Sequence, residues 1–196
     1  FLVLFCRLLV LLLCGVGPRL SLAQPSSDQH KLTEPPPATD TKGSDPKAEE
    51  RLLTNIRQVT FAGQRAGEGY FNHDSSLLVF QSEREPTNPF FQMYVLNRAT
   101  GEVQRVSPGR GKTTCGWIHP NNNEVLFAST HLDPQVRVKQ KEELAQRATG
   151  EKRRYAWDFD EHYDVFQTRI SGGSLKNLTH ARGYDAEASW SPDGSL

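Results

Sequence analysis

Beyond Glu50 the chain alternates short apolar runs with clusters of Gly, Asn, Asp and Pro. The runs "SLLVFQSE" (76–83), "FQMYVLNR" (91–98), "EVLFAST" (124–130) and "YDVFQTRI" (163–170) are too short for helices. They are rich in β-branched and aromatic residues and bounded by turn formers, so they predict strands. A helical pattern occurs only in the charged stretch near 136–149, where Val138, Ala145 and Ala148 give a thin apolar face. The prediction is an all-β chain with one charged insertion that can turn helical.

The strand pattern repeats. "FNHDSSLLVF" (71–80), "WIHPNNNEVLF" (117–127) and "WSPDGSL" (190–196) each run from an aromatic through a turn rich in Pro, Asp, Asn or His. In the first two an apolar strand follows. The second copy, aligned on Trp117, carries one extra residue in its turn, and His73 and His119 fall at matching positions. Between the copies, "YVLNRATGEVQRVS" (94–107) matches "FQTRISGGSLKNLT" (166–179) without a gap. Both read as hairpins with Gly in a tight two-residue turn, ending in a hydroxyl. "RQVT" (57–60) repeats the last part of that unit. Val59, Val106 and Leu178 mark the phase, and the second interval is longer by about 25 residues, which the insertion supplies.

Four antiparallel strands at this period are the unit of a β-propeller blade. Such a sheet has two apolar faces and cannot stand alone, whereas stacking against neighbours covers both. The units fall at 66–107, at 113–179 with an insertion at 131–155, and at 184–196, where a third blade opens. Residues 51–61 would be the outer strand of a closing or preceding blade. Propellers close with roughly four to eight blades, so the chain is expected to continue beyond Leu196. A first residue of Phe rather than Met points to a start further upstream.

The region before the repeats differs. "FLVLFCRLLVLLLCGVGPRLSLAQ" has the parts of a secretory signal: Arg7, an apolar run from Leu8 to Val16, Pro18, and small residues at Ser21 and Ala23. Residues 1–23 are read as a signal peptide cleaved after Ala23, or as a retained anchor. The bulky Leu13 argues against a lipid on Cys14. Residues 24–50 hold five prolines and no aromatic residue, so they read as a disordered linker. Lys plus Arg and Asp plus Glu are 23 each, which excludes a general attraction to nucleic acid or anionic membrane. Cys115 alone would remain after processing, which suits a periplasmic or secreted protein not built on disulfides.

The constellation "SWSPDGSL", with "GGSLKNLT" upstream, resembles the TolB-type propeller repeat, also called PD40 or WD40-like, over about residues 51–196. The resemblance implies a periplasmic or secreted propeller that works through protein–protein contacts or serves as accessory domain to a peptidase. TolB carries an α/β domain before its propeller. Here the Pro-rich linker occupies that place, and the 131–155 insertion lies outside the basic repeat.

Candidate chemistry is sparse. "GRGKTT" (109–114) has the Gly-Lys-Thr of a phosphate loop, but Val106 stands where its first Gly is required, so an inter-blade loop is expected. "WDFDEHYD" (157–164) gathers Asp158, Asp160, Glu161, His162 and Asp164, oxygen-rich enough for Ca²⁺ but without the EF-hand Gly and Glu. Pairing with Arg137, Lys139, Lys141, Lys152, Arg153 and Arg154 of the insertion is the preferred reading. Cys115 and His119 could be called nucleophile and base, yet both fall in the strand and turn of the repeat. No His-Glu-x-x-His or Gly-x-Ser-x-Gly occurs. Asn177-Leu178-Thr179 is a glycosylation acceptor only in a eukaryotic secretory route.

The sequence therefore predicts no catalytic, cofactor or metal residue. It predicts a non-enzymatic exported propeller with a protein or cell-envelope partner and no nucleic acid, touching membrane only if the N-terminus is retained. The insertion, and Arg153 and Arg154 in it, is where a partner site is expected. The alternatives are an accessory propeller of a secreted hydrolase whose catalytic domain follows residue 196, and a membrane-tethered adhesion or sensor domain.

Overall fold

A computed structural model describes residues 52–151, 154 and 159–195. The described residues fall into two units that divide after Ile56. Of the first, Leu52, Leu53 and Ile56 are exposed. The signal or anchor at 1–23 and the linker at 24–50 lie outside the described residues. No helix among the described residues is long and apolar enough to cross a membrane.

The second unit is built of two antiparallel meanders. The first sheet has strands β1 (Arg65–Phe71), β2 (Leu77–Glu83), β3 (Gln92–Asn97) and β4 (Val103–Arg105), paired in sequence order. The second has β5 (Thr113–Ile118), β6 (Glu124–Ser129), β7 (His162–Arg169) and β8 (Lys176–Asn177) in the same order. Helix α1 (Val136–Ala148) fills the connection between β6 and β7. These are the two consecutive blades of a partial propeller that the repeats at 66–107 and 113–179 predict.

Burial on both faces explains the near-continuous apolar runs. Val79, Met93 and Val95 of the first sheet form one core with Ile118, Val125, Phe127 and Phe166 of the second. Val79, Val125 and Phe127 are 0% exposed, and each contributes about 1.5–3 kcal/mol by leaving water. The opposite face of the first sheet carries Leu78, Phe80, Tyr94 and Leu96. There Arg84 lies over both the Phe80 and Tyr94 rings, and the Tyr94 hydroxyl donates to Glu85.

The hydroxyl that ends each unit has a structural role. The Met93 N–H donates to Ser107 Oγ at 2.9 Å, and the Val165 N–H donates to Thr179 Oγ1 at 2.9 Å. Each hydroxyl continues the ladder where the short outer strand stops. The hairpins before them are wider than a two-residue turn. Asn97 and Glu102 close a loop of Arg98 to Gly101, because Asn97 Oδ1 caps the N–H groups of Ala99 and Thr100.

The three Pro/Asp/Asn turns share one hydrogen-bond pattern, residue by residue. Ser75, Asn122 and Gly194 donate to the carbonyls of Asn72, His119 and Ser191, and have φ of 58°, 59° and 70°. The Oδ1 atoms of Asp74, Asn121 and Asp193 each accept from the N–H two residues on. Registers place Tyr70 against Val79 and Trp117 against Leu126, so Tyr70, not Phe71, is the equivalent of Trp117. The extra turn residue expected in the second copy does not exist, and His119 corresponds to Asn72 rather than His73. Adjacent turns also touch. Asn72 Nδ2 donates to Asn122 Oδ1 at 3.0 Å, while His119 packs on Trp190 and reaches the Gly194 carbonyl at 3.1 Å.

Two further expectations differ. Residues 57–61 form no strand; their backbone finds no ladder partner among the described residues, and Val59 and Phe61 are exposed. In the opening third unit, β9 (Gly183–Tyr184) runs parallel to the start of β7 rather than beginning an antiparallel sheet.

Candidate functional site

The up-and-down course puts the three turns and both wide hairpins at one end of the sheets. The 84–91 and 107–112 connections and the insertion lie at the other. There α1 and the inner strands β1 and β5 enclose a cleft of about 960 Å³.

Bulges aim side chains into this cleft. Glu68 is the extra residue of β1 between Gly67 and Gly69, and Cys115 sits in the bulge between Thr114 and Trp117 of β5. Glu187 stands the same distance before its turn, and it shares the left-handed backbone of Cys115, with φ of 62° and 53°. All three line the cleft. After the bulge, Gly116 lies flat on the first sheet. A Cβ there would come within 2.6 Å of Met93 Sδ and 2.8 Å of Val79 Cγ2.

Helix α1 is made of good helix formers and starts after Asp133-Pro134, where Asp133 Oδ1 accepts the Gln135 N–H. It ends at Gly150, whose φ of 73° stops the helix and whose N–H bonds the Arg147 carbonyl. Its inner face is polar. Only Val136 and Gln140 are buried, and no α1 side chain belongs to either apolar core. Val138, of the apolar face read from the sequence, is 52% exposed.

The inner face holds both blades. Arg147 reaches Glu83 of β2 at 2.6 Å and the Pro89 carbonyl at 2.7 Å. Gln140 accepts the Gly111 N–H and donates to the Thr87 carbonyl. Lys139 pairs with Asp133 at 2.7 Å and Asp160 at 3.0 Å. The charged insertion is therefore an inter-blade clasp.

The acids of "WDFDEHYD" do not converge. Asp158 lies outside the described residues. Glu161 points outward to Arg182, while Asp164 accepts from Asn177 and Thr179 inside the blade. Asp160 and His162 instead join Asp133, with potential ligand atoms within 4.8 Å of one another, beside a pocket of about 560 Å³. The ammonium of Lys139 already occupies the space between the two carboxylates, and Lys112 stands 3.4 Å from Asp160. Hydrogen bonds and positive charge from Lys139 hold both carboxyls below the usual range despite the opposing effect of burial. A dication would have to displace that ammonium, so the cluster is an ion-pair network.

Asp133 and Lys112 were missed from sequence because each lies far along the chain from "WDFDEHYD". Of the expected cations, Lys139 pairs as predicted. Arg137 and Lys141 are exposed, Lys152 and Arg153 lie outside the described residues, and Arg154 lines the cleft.

The remaining candidates are structural. Lys112 of "GRGKTT" lies over the Phe90 ring, and β5 follows where a phosphate loop needs a helix. His119 has both ring nitrogens engaged: Nδ1 accepts the Asn121 N–H, leaving Nε2–H to donate to the Gly194 carbonyl. It is no base for Cys115, whose thiol is pushed up by burial and lies 3.9 Å from Glu68.

No family model matches the chain, and no curated relative does. Among solved structures, a putative TolB from Agrobacterium tumefaciens is 19% identical with a TM-score of 0.47, covering 69% of this chain and 42% of its own. TolB from Acinetobacter baumannii is 18% identical with a TM-score of 0.46, covering 69% of this chain and 26% of its own. A prolyl endopeptidase structure is 12% identical with a TM-score of 0.44, covering 66% of this chain and 17% of its own. This chain spans less than half the length of each, and the likeness names no activity for it.

Proposed function

We propose that the chain belongs to an exported, non-enzymatic β-propeller that binds a protein or cell-envelope component at the cleft end of its blades. The carrying observation is the cleft itself. Bulges turn Glu68, Cys115 and Glu187 into it, and α1 adds charges of both signs. Phe90, Phe91 and Tyr184 supply apolar contact area on the same walls. Loops on a rigid scaffold are where binding function concentrates. Zero formal charge favours a mixed-charge protein surface over nucleic acid. Export rests on the apolar N-terminal run.

Photo-crosslinking in cells making the whole protein tests the proposal. A benzophenone side chain at position 142, in the cleft wall, is expected to give a discrete adduct, and one at position 73, in a turn at the opposite end, none. No adduct from 142, or equal adducts from both ends, would overturn it. Peptide hydrolysis by the whole protein, abolished when the cleft is blocked, would replace it with the accessory-domain reading.

A further inference from the structure

We propose that α1 is a salt-released strap across the cleft, closed by ion pairs to Glu83 and Asp160, each of which keeps a second cationic partner when the strap lifts. This deepens the binding reading by assigning regulation to the same cleft, but its test needs no ligand.

The first observation is what α1 lacks. It lies over the cleft with two buried residues and no share in either apolar core, so little non-directional attraction holds it down. Its attachments are directional and polar: Arg147 to Glu83, Gln140 to Gly111 and Thr87, and Lys139 to Asp133 and Asp160.

The second observation is redundancy. Glu83 is buried, and removing its only cation would strand a charge. Among the described residues it has two: Arg147 from α1, and Arg65 from β1 at 2.9 Å. Asp160 has Lys139 from α1, and Lys112 from the 107–112 connection at 3.4 Å. Asp133, in the turn that leads into α1, pairs with Lys139 of the helix itself. Both blade acids that α1 grips, Glu83 and Asp160, thus keep a second cation outside the helix. The Gly111 N–H and the Thr87 and Pro89 carbonyls gain water when α1 lifts. A helix meant to stay fixed needs no such duplicate set.

Amide exchange on the whole chain reads the strap directly. Raising NaCl from 0.05 to 0.5 M should speed exchange of α1 amides after Gln140 and of Gly111 roughly tenfold, with β6 and β7 unchanged. Arg147→Gln should reproduce this at low salt, because Arg65 still holds Glu83. If α1 exchanges in step with β6 and β7 at both salt levels, the strap is disproved. If Arg147→Gln prevents folding, the wild-type salt series decides alone. Failure to crosslink at position 142 with salt-dependent α1 exchange would remove the binding reading and leave the strap.

Discussion

The contact between the two sheets and the contact between α1 and those sheets are built on opposite principles. Between the sheets, Val79 and Met93 meet Val125 and Phe127 over an apolar surface, and Gly116 lets the backbone approach within side-chain reach. That attraction depends on area and ignores salt. Under α1 the contacts are charges and amides, whose acids are buried but whose cations, Lys139 and Arg147, stay about a third exposed and open to added ions. The difference separates a scaffold that opens only by unfolding from an element that opens by itself.

Breaking the apolar contact should have the largest effect. Phe127→Ala is expected to cost about 3–5 kcal/mol in denaturant unfolding, since its site is closed on all sides. A loss below about 1 kcal/mol would mean that the sheets are not held there.

An intermediate effect comes from His131, at the edge of that contact. Its ring lies 4.3 Å from the Phe166 ring, with Nδ1 3.0 Å from Ser129 Oγ. Burial, assisted by Arg110, pushes its pKa down to about 4. The unfolded imidazole takes up a proton near pH ~6.5, where the folded one does not. Stability is therefore full above that pH and falls as pH drops toward 4, by about 3 kcal/mol. Unfolding curves across this range should show the slope, and His131→Gln should flatten it; an unchanged slope would assign it elsewhere.

The smallest effect belongs to the clasp. Arg147→Gln should change global stability by less than about 1 kcal/mol while α1 amides lose protection, because Glu83 keeps Arg65. A large global loss would show that α1 belongs to the scaffold and would erase the contrast between the two contacts.

What the sequence revealed follows the same division. Period and turn chemistry disclosed both blades, the terminal hydroxyls and the turn at Ser191, because each rests on local spacing. The slip of one residue at Trp117 arose because aromatic letters were matched, whereas ladder register decides equivalence. Bulges at Glu68 and Cys115 leave no mark in an apolar pattern, so their aim into the cleft was not legible. The seat of α1 is not legible in its apolar letters, since Val138 is exposed. The face that docks is Val136, Lys139, Gln140, Glu143 and Arg147, helical in period but polar. Asp133 joins Asp160 only through the fold.

Charge pairs, rather than packing, hold α1 across the blades. A double-mutant cycle of Glu83→Gln and Arg147→Gln, read as the local opening free energy of α1 amides, measures that hold. A coupling of about 1 kcal/mol at low salt that fades at high salt is expected. A fully protected α1 with no coupling at low salt would contradict it.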